Sequence, residues 1–512
     1  QVPEILHEFQ ARYHYFCVDE AQDTSKIQHA IIALLASGSE NLFMVGDEDQ
    51  SIYGFRAAYP EALLTFEKNY PDAKVLLMEE NFRSDARIVL AADRFIQKNT
   101  LRHEKHMKAA RKPASDIREI SLRSRKAQYT YLAKLAEGCT SQTAILYRDN
   151  ECILPLVDLL ERNGIPYQMR NAELSFFSHR TILDIINIIK LAQNPMDTEA
   201  FLQIYYKIGT YLRKQDAIRI ARISEEKRIP VLDVAAEDPD LNGHVLGSVR
   251  SMRTHLQNLL QDSGERALYR IMQYMGYQEY LNRSGLSDSK LEILRILGSR
   301  ADSPMELAER LEQLKVLIRE KEPDRKCPLI LSTIHASKGL EYDSVYLIDV
   351  ADGILPESIP QNLHQASAEE LKAYEEERRL FYVGVTRAKD HLTLFTTNRP
   401  STFCSEFLGK SSVTEEGRKN LMPVESRISR TFKQARPYAA VAGIRQTKAS
   451  EELYFRLKEE LGTGVIVEHK KYGEGVVTQL DDRLVHIMFQ DDTLRMMDLK
   501  ILANAGLLKV KK

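Results

Sequence analysis

The sequence predicts an α/β protein with two parallel-sheet cores, the first incomplete, an all-α insertion in the second, and a small carboxyl-terminal β-barrel. Three observations carry this expectation. Short apolar runs recur, each followed by a polar cluster and then helix-period sequence. Strand-like runs vanish between about residues 200 and 326, and after Gly462 short β-type runs return among turn glycines. At 512 residues the chain also exceeds what one hydrophobic core organises, so about three or four domains are expected.

Taken in order, the runs 15–18, 42–45, 75–78, 144–147, 329–334, 345–350 and 391–395 read as strands. Ligands of parallel sheets sit beyond the carboxyl ends of the strands, so functional residues should follow these runs. Residues 217–227, 255–260, 266–275 and 305–320 are Leu/Arg/Glu-rich and read as helices of the insertion. Poor periodicity over 400–451, with Arg418, Lys419, Arg427, Arg430, Lys433 and Arg436, reads as a linker rather than a DNA-contacting arm. The runs 465–467, 473–477 and 484–489 fit a barrel of about 50 residues. The implied boundaries are 1–79 for the first core, 80–199 and 327–400 for the second, 200–326 for the insertion, 401–460 for the linker and 461–512 for the barrel.

Lys plus Arg (71) balances Asp plus Glu (73), so no global positive field advertises nucleic acid, and any such binding must be local. Five scattered cysteines suggest neither zinc nor disulfides and point to a reducing cytoplasm. The greasiest stretch, 182–191, is broken by Asp184, Asn187 and Lys190 and cannot span a bilayer. The opening Gln1-Val2-Pro3-Glu4 has no signal-peptide character and, without an initiator Met, reads as a trimmed start.

The chemistry follows the strands. Val18-Asp19-Glu20-Ala21-Gln22-Asp23-Thr24 ends an apolar run in adjacent carboxylates, one suited to Mg²⁺ and the next to an attacking water. An acidic pair alone is common where loops start. Val45-Gly46-Asp47-Glu48-Asp49-Gln50-Ser51-Ile52-Tyr53-Gly54-Phe55-Arg56 offers an amide, Gln50, that can sense a terminal phosphate. Its Tyr53, Phe55 and Arg56 present faces on which bases of any sequence can stack, although core packing explains such aromatics equally well. Arg83, in Glu80-Asn81-Phe82-Arg83-Ser84, and Arg387, after Glu375-Glu376-Glu377-Arg378-Arg379, suit the neutralisation of charge during phosphoryl transfer; surface ion pairing is the bland alternative. Thr333-Ile334-His335-Ala336-Ser337-Lys338-Gly339-Leu340-Glu341-Tyr342 is small-residue sequence that permits close approach to a ligand.

These five segments, in order and spacing, resemble helicase motifs II to VI of the UvrD/PcrA/Rep family of superfamily 1 DNA helicases. The resemblance implies two RecA-like cores and a Tudor/SH3-like carboxyl-terminal barrel that contacts RNA polymerase in relatives. It implies ATP and Mg²⁺, with Asp19 on the metal, Glu20 as base, and Gln50, Arg83 and Arg387 on the γ-phosphate. Phe82, where the family often has Tyr, would stack on adenine, and Glu341 would approach the sugar. His335 would couple nucleotide to DNA, and Tyr53, Phe55 and Arg56 would touch single-stranded DNA, Phe55 replacing the usual Trp. The implied function is ATP-dependent 3′ to 5′ translocation or unwinding at single-strand/duplex junctions in repair or replication. A non-catalytic DNA- or RNA-polymerase-binding scaffold is the alternative. A helicase-nuclease is disfavoured, because Asp498-Leu499-Lys500 lies in a piece too small for a nuclease.

Three departures qualify the resemblance. No G-x-x-x-x-G-K-[ST] loop precedes Asp19, and Gly409-Lys410-Ser411 has Cys404 where the first glycine belongs. Phe176-Phe177-Ser178-His179-Arg180-Thr181-Ile182-Leu183-Asp184 lacks several charges usual there, and Ile208-Gly209-Thr210-Tyr211 keeps one glycine of a duplex-contacting turn. These 512 residues alone are therefore expected to hydrolyse ATP negligibly. A steady-state assay with saturating oligo-dT checks this, and turnover matching an intact helicase would contradict it.

Overall fold

The computed structural model describes residues 3–170, 175–285, 289–321, 324, 326–363, 365–397, 401–410, 461, 465–470, 472–480, 484–489, 494–498, 502 and 507–510. They fall into two units, Gln1–Val413 and Thr414–Lys512.

In the first unit, strands Phe16–Val18 and Leu42–Met44 pair in parallel. Helix Lys26–Ala36 connects them, started by a capping box in which Ser25 and Gln28 satisfy each other's backbone amides. The larger sheet is six-stranded and wholly parallel, in the order Arg118–Leu122, Ala388–Thr397, Tyr342–Leu347, Thr143–Tyr147, Leu329–Thr333, Gln168–Met169. Thr143–Tyr147 and Leu329–Thr333 are buried throughout, as a parallel sheet covered on both faces requires. The two-residue period then sorts side chains. Ile145, Tyr147, Leu329 and Leu331 enter one core with Tyr129 and Leu160, while Ala144, Leu146 and Ile330 enter the other with Phe95, Phe381 and Phe403.

Between Gln168–Met169 and its neighbour Leu329–Thr333 the chain runs through helices from Arg180–Gln193 to Pro304–Glu320. Lys207 and Asp184 form an ion pair at 2.5 Å, each side chain 4% exposed, and Tyr277 donates its hydroxyl to Asp184 at 2.8 Å. The second unit is a five-stranded antiparallel sheet, ordered Leu494–Asp498, Leu484–Phe489, Gly473–Leu480, Ile466–His469, Leu508–Val510. Its core includes Val467, Val477, Val485, Ile487 and Leu508.

Several expectations need correction. Residues 75–78 form no strand: Leu76 and Met78 are 84% and 85% exposed, and no described strand pairs with this backbone. An apolar run without a ladder partner stays unpaired. The strand expected at 345–350 is Tyr342–Leu347, while Arg118–Leu122 and Gln168–Met169 are strands whose polar residues hid them. The linker expected from 401 begins instead with helix Thr402–Phe407, whose Phe403 and Phe407 pack against Phe95 and Phe381. Residues 411–460, and with them the cationic stretch 418–436, lie outside the described residues.

Removing one partner of a buried ion pair strands the other charge. Asp184→Ala is therefore expected to cost about 3–5 kcal/mol, read as a lower urea midpoint. A loss under about 1 kcal/mol would show that Lys207 is solvated.

Candidate functional site

Strand Phe16–Val18 delivers Asp19 and Glu20 at its carboxyl end, both exposed. The chain reverses at Glu20, with φ 50° and ψ 42°, a left-handed conformation that costs a non-glycine residue energy. Asp19 Oδ1 accepts from the Glu20 amide at 2.9 Å, and Gln22 donates its side-chain amide to Glu20. The fully buried Gln22 also accepts from the Asp47 amide at 3.0 Å, tying this loop to the one after Leu42–Met44. Gly46 allows that approach, because a Cβ there would come within 2.7 Å of Gln22 Oε1. In the second loop Gln50 Nε2 donates to Asp47 Oδ2 at 2.6 Å.

The six-stranded sheet presents cations to these loops. Leu329–Thr333 leads into the turn His335–Ser337 and then Lys338. Lys338 Nζ donates to Asp23 Oδ2 at 2.6 Å and to the Gln50 carbonyl at 2.7 Å, and lies 3.6 Å from Glu20 Oε2. Helix Ala368–Val385 ends two residues before Arg387, which is 1% exposed. The Arg387 guanidinium donates to the Val383 carbonyl at 3.0 Å, the Leu340 carbonyl at 3.2 Å and Gln50 Oε1 at 3.4 Å. Burial, with Arg83 nearby, pulls its pKa down to about 10, which leaves it protonated at neutral pH. Arg83 Nε donates to Glu341 Oε2 at 3.0 Å, and Lys389 holds the other Glu341 oxygen at 3.0 Å. Lys389 and Arg83 together lower the Glu341 pKa. Phe82 is 70% exposed beside Arg83.

Tyr53, Phe55, Arg56 and His335 form one aromatic group. Tyr53 donates its hydroxyl to the His335 carbonyl at 3.1 Å, the Phe55 and His335 ring centroids lie 5.7 Å apart, and Arg56 sits 5.2 Å over Tyr53. Phe55 keeps 69% of its surface exposed, so a flat face remains available.

Gln50, Arg387 and Glu20 are thus gathered at one seam, with Arg83 and Glu341 joined to each other. Sequence reasoning missed Lys338 and Asp23, both inside motifs already singled out, because no spacing rule reveals a partner about 300 residues away, and it missed Gln22, whose bonds to Glu20 and to the Asp47 amide appear only once the two loops meet. Asp23 matters for the metal question. Burial raises its pKa against the pull of Lys338, and its Oδ1 is buried without a hydrogen-bond partner. Carboxylate oxygens of Asp23 and Glu20 next to the exposed Asp19 are a hard donor set that fits Mg²⁺, and the Lys338 ammonium now supplies the positive charge there. Asp47, Glu48 and Asp49 also cluster, but Lys105 (2.6 Å from Asp47) and Arg102 (2.8 Å from Asp49) already neutralise them.

Acidic loops after parallel strands, facing a guanidinium and an ammonium from a second sheet, place the chain in the parallel α/β class with its charged groups beyond the carboxyl ends of the strands. The comparisons agree. The UvrD-like helicase C-terminal domain family matches residues 76–399, and the UvrD/REP helicase N-terminal domain family matches residues 1–71. YjcD of Bacillus subtilis is 31% identical over 409 residues, covering 77% of this chain and 53% of YjcD. The ATP-dependent DNA helicases PcrA of Staphylococcus epidermidis and Staphylococcus aureus are 28% identical over 518 and 26% over 520 residues, each alignment covering 94% of this chain and 68% of the relative. The chain belongs to the UvrD/PcrA family of superfamily 1 helicases, and it spans about half the length of YjcD.

The His335 imidazole, half-buried among the rings and near Arg148, has its pKa lowered by desolvation from 6.5 to about 4. An unfolded chain would take up this proton at higher pH than the folded one. The stability contributed is therefore complete above pH 6.5 and is lost as the pH falls toward 4. Urea midpoints at pH 7.5 and 5 should differ less for His335→Asn than for the unsubstituted protein; equal pH losses would contradict the burial of a neutral imidazole.

Proposed function

We propose that this chain serves as an ATP-dependent DNA translocase or helicase that moves 3′ to 5′ and takes ATP between two RecA-like cores. The observation that carries the reading is the reach of Arg387 to Gln50 and of Lys338 to Asp23 across the seam between the motif loops. In this reading Asp19 holds Mg²⁺, which neutralises triphosphate charge when bound, and Glu20 orients or deprotonates the water. Gln50, Arg83 and Arg387 contact the γ-phosphate, the exposed Phe82 stacks on adenine, and Glu341 meets the sugar after Arg83 leaves it for phosphate. Tyr53, Phe55, Arg56 and His335 take single-stranded DNA, and their contact with the Lys338 loop transmits the state of the nucleotide.

The assignment divides the chain at the boundaries given above: a first core over 1–79, a second core over 80–199 and 327–400, an accessory helical insertion, a linker and a Tudor-like end. That end is the part we assign to an RNA polymerase contact. Single-stranded DNA and its junctions with duplex are the proposed substrates, in repair or replication in the cytoplasm; no helix among the described residues is long and apolar enough to cross a membrane. The scaffold alternative leaves the seam's charges without a use.

In the protein as its gene encodes it, Glu20→Gln and Arg387→Ala are each expected to lower single-strand-stimulated ATP turnover by about 10²-fold or more while DNA binding persists. Unchanged turnover in both would remove the assigned roles, and absence of turnover in the unsubstituted protein would favour the scaffold.

A further inference from the structure

Helix Ala368–Val385 turns one face to the chain that follows Leu42–Met44. Lys372, Glu376 and Arg379, spaced four and then three residues apart, lie along one helical stripe. Each of them reaches that chain. Lys372 Nζ pairs with Glu61 at 2.7 Å, Glu376 Oε1 accepts from the Gly54 amide at 2.8 Å, and Arg379 Nε donates to the Ser51 carbonyl at 2.9 Å. The outer two contacts bracket residues 51–61, and Glu376 holds the middle.

That middle is the turn Gly54–Arg56, closed by Arg56 donating its amide to the Tyr53 carbonyl at 2.9 Å and Ala57 to the Gly54 carbonyl at 2.9 Å. Its own chain supports it poorly. Ala57 adopts φ +60°, a left-handed conformation that costs an alanine energy and persists only where neighbours hold it. No side-chain cap comes from Tyr53, whose hydroxyl is engaged by the His335 carbonyl. The first amide of such a turn needs an acceptor, and a carboxylate there also meets the positive end of the peptide dipoles. Glu376 supplies it from 322 residues along the chain.

Gly54 is fitted to this contact. Its φ lies outside the left-handed region, so its backbone does not demand glycine; what the position demands is room. A Cβ there would come 2.6 Å from Glu376 Oε1 and closer still to Oε2. The residues that follow are the exposed Phe55 and Arg56, whose guanidinium lies 5.4 Å from the centre of the Phe55 ring. We propose that Glu376 is a positioning residue for strand binding. By gripping the Gly54 amide it fixes the turn that aims Phe55 and Arg56, so that single-stranded DNA is held tightly only while helix Ala368–Val385 is seated on this turn. The proposal rests on the reading of Tyr53, Phe55 and Arg56 as the strand-binding group and adds the residue that sets their geometry from the other side of the seam.

The test measures, in the gene-encoded protein, oligo-dT binding by fluorescence anisotropy and the oligo-dT concentration that gives half-maximal ATP turnover. Glu376→Ala should weaken both about tenfold, the worth of one lost base stack, while turnover at saturating oligo-dT changes less than about twofold. Glu376→Gln keeps an acceptor and should stay within about threefold of the unsubstituted protein. Gly54→Ala expels the carboxylate and should match Glu376→Ala, and combining the two should add less than about twofold to either alone. Binding unchanged in Glu376→Ala, losses that multiply in the double variant, or an equal loss in Lys372→Ala, which would mark a general tie across the seam, would each overturn the proposal. So would a fall in saturated turnover with the half-maximal concentration unmoved. Phe55→Ala distinguishes the two levels of failure. A loss of about tenfold there with Glu376→Ala unaffected sinks the proposal alone, whereas full binding in Phe55→Ala removes the strand-binding role of the turn and takes the proposal with it.

Discussion

The site depends on a buried positive charge. Arg387 lies 1% exposed at the end of helix Ala368–Val385, and such a cation is tolerable only when every N–H it carries is usefully aimed. Two of its bonds go to carbonyls of its own lobe, at Val383 and Leu340, and fix the group rigidly. The bond that crosses to Gln50, at 3.4 Å, is the long one. A firmly held guanidinium with a loose outward contact is ready to exchange a neutral amide for a charged oxygen without rearranging itself, which is what preorganised electrostatics requires.

The rest of the seam is arranged around the same economy of charge. Lys338 holds the place of a cation among Asp23 and Glu20, so these acids are not left facing one another. Farther out, Arg102 and Lys105 reach from the chain after helix Ala86–Ile96 to Asp47, Glu48 and Asp49, pinning the loop that carries Gln50 from behind. Lys105 is held protonated by those three carboxylates. The loop is therefore pinned at its base, and at its tip Tyr53 donates to the His335 carbonyl and the Gly54 amide donates to Glu376 at 2.8 Å, while Phe55 stays exposed beside the His335 ring.

Much of this was legible in the order of residues, for a physical reason. Central parallel strands are apolar on both faces, so Thr143–Tyr147 and Leu329–Thr333 read directly from the sequence. Arg118–Leu122 lies at an edge of the sheet, where Arg118, Glu119 and Ser121 break the apolar signal, and it was missed. Residues 75–78 have the composition of a strand, but composition cannot supply a neighbour. At the site, motif spacing located Asp19, Glu20, Gln50 and Arg387, since these residues follow strands or helix ends. It could not reveal that Lys338 pairs with Asp23, because that contact exists only once the two sheets face each other.

The account makes Gln50 and Arg387 one phosphate-binding pair and makes Lys338 a stand-in for metal. The most direct measurement is a structure of the gene-encoded protein with Mg²⁺ and a non-hydrolysable ATP analogue. The account predicts a terminal phosphate oxygen between Gln50 and Arg387, Mg²⁺ on Asp19, and Lys338 withdrawn from Asp23. A triphosphate bound elsewhere, or a metal bound while Lys338 stays on Asp23, would contradict it.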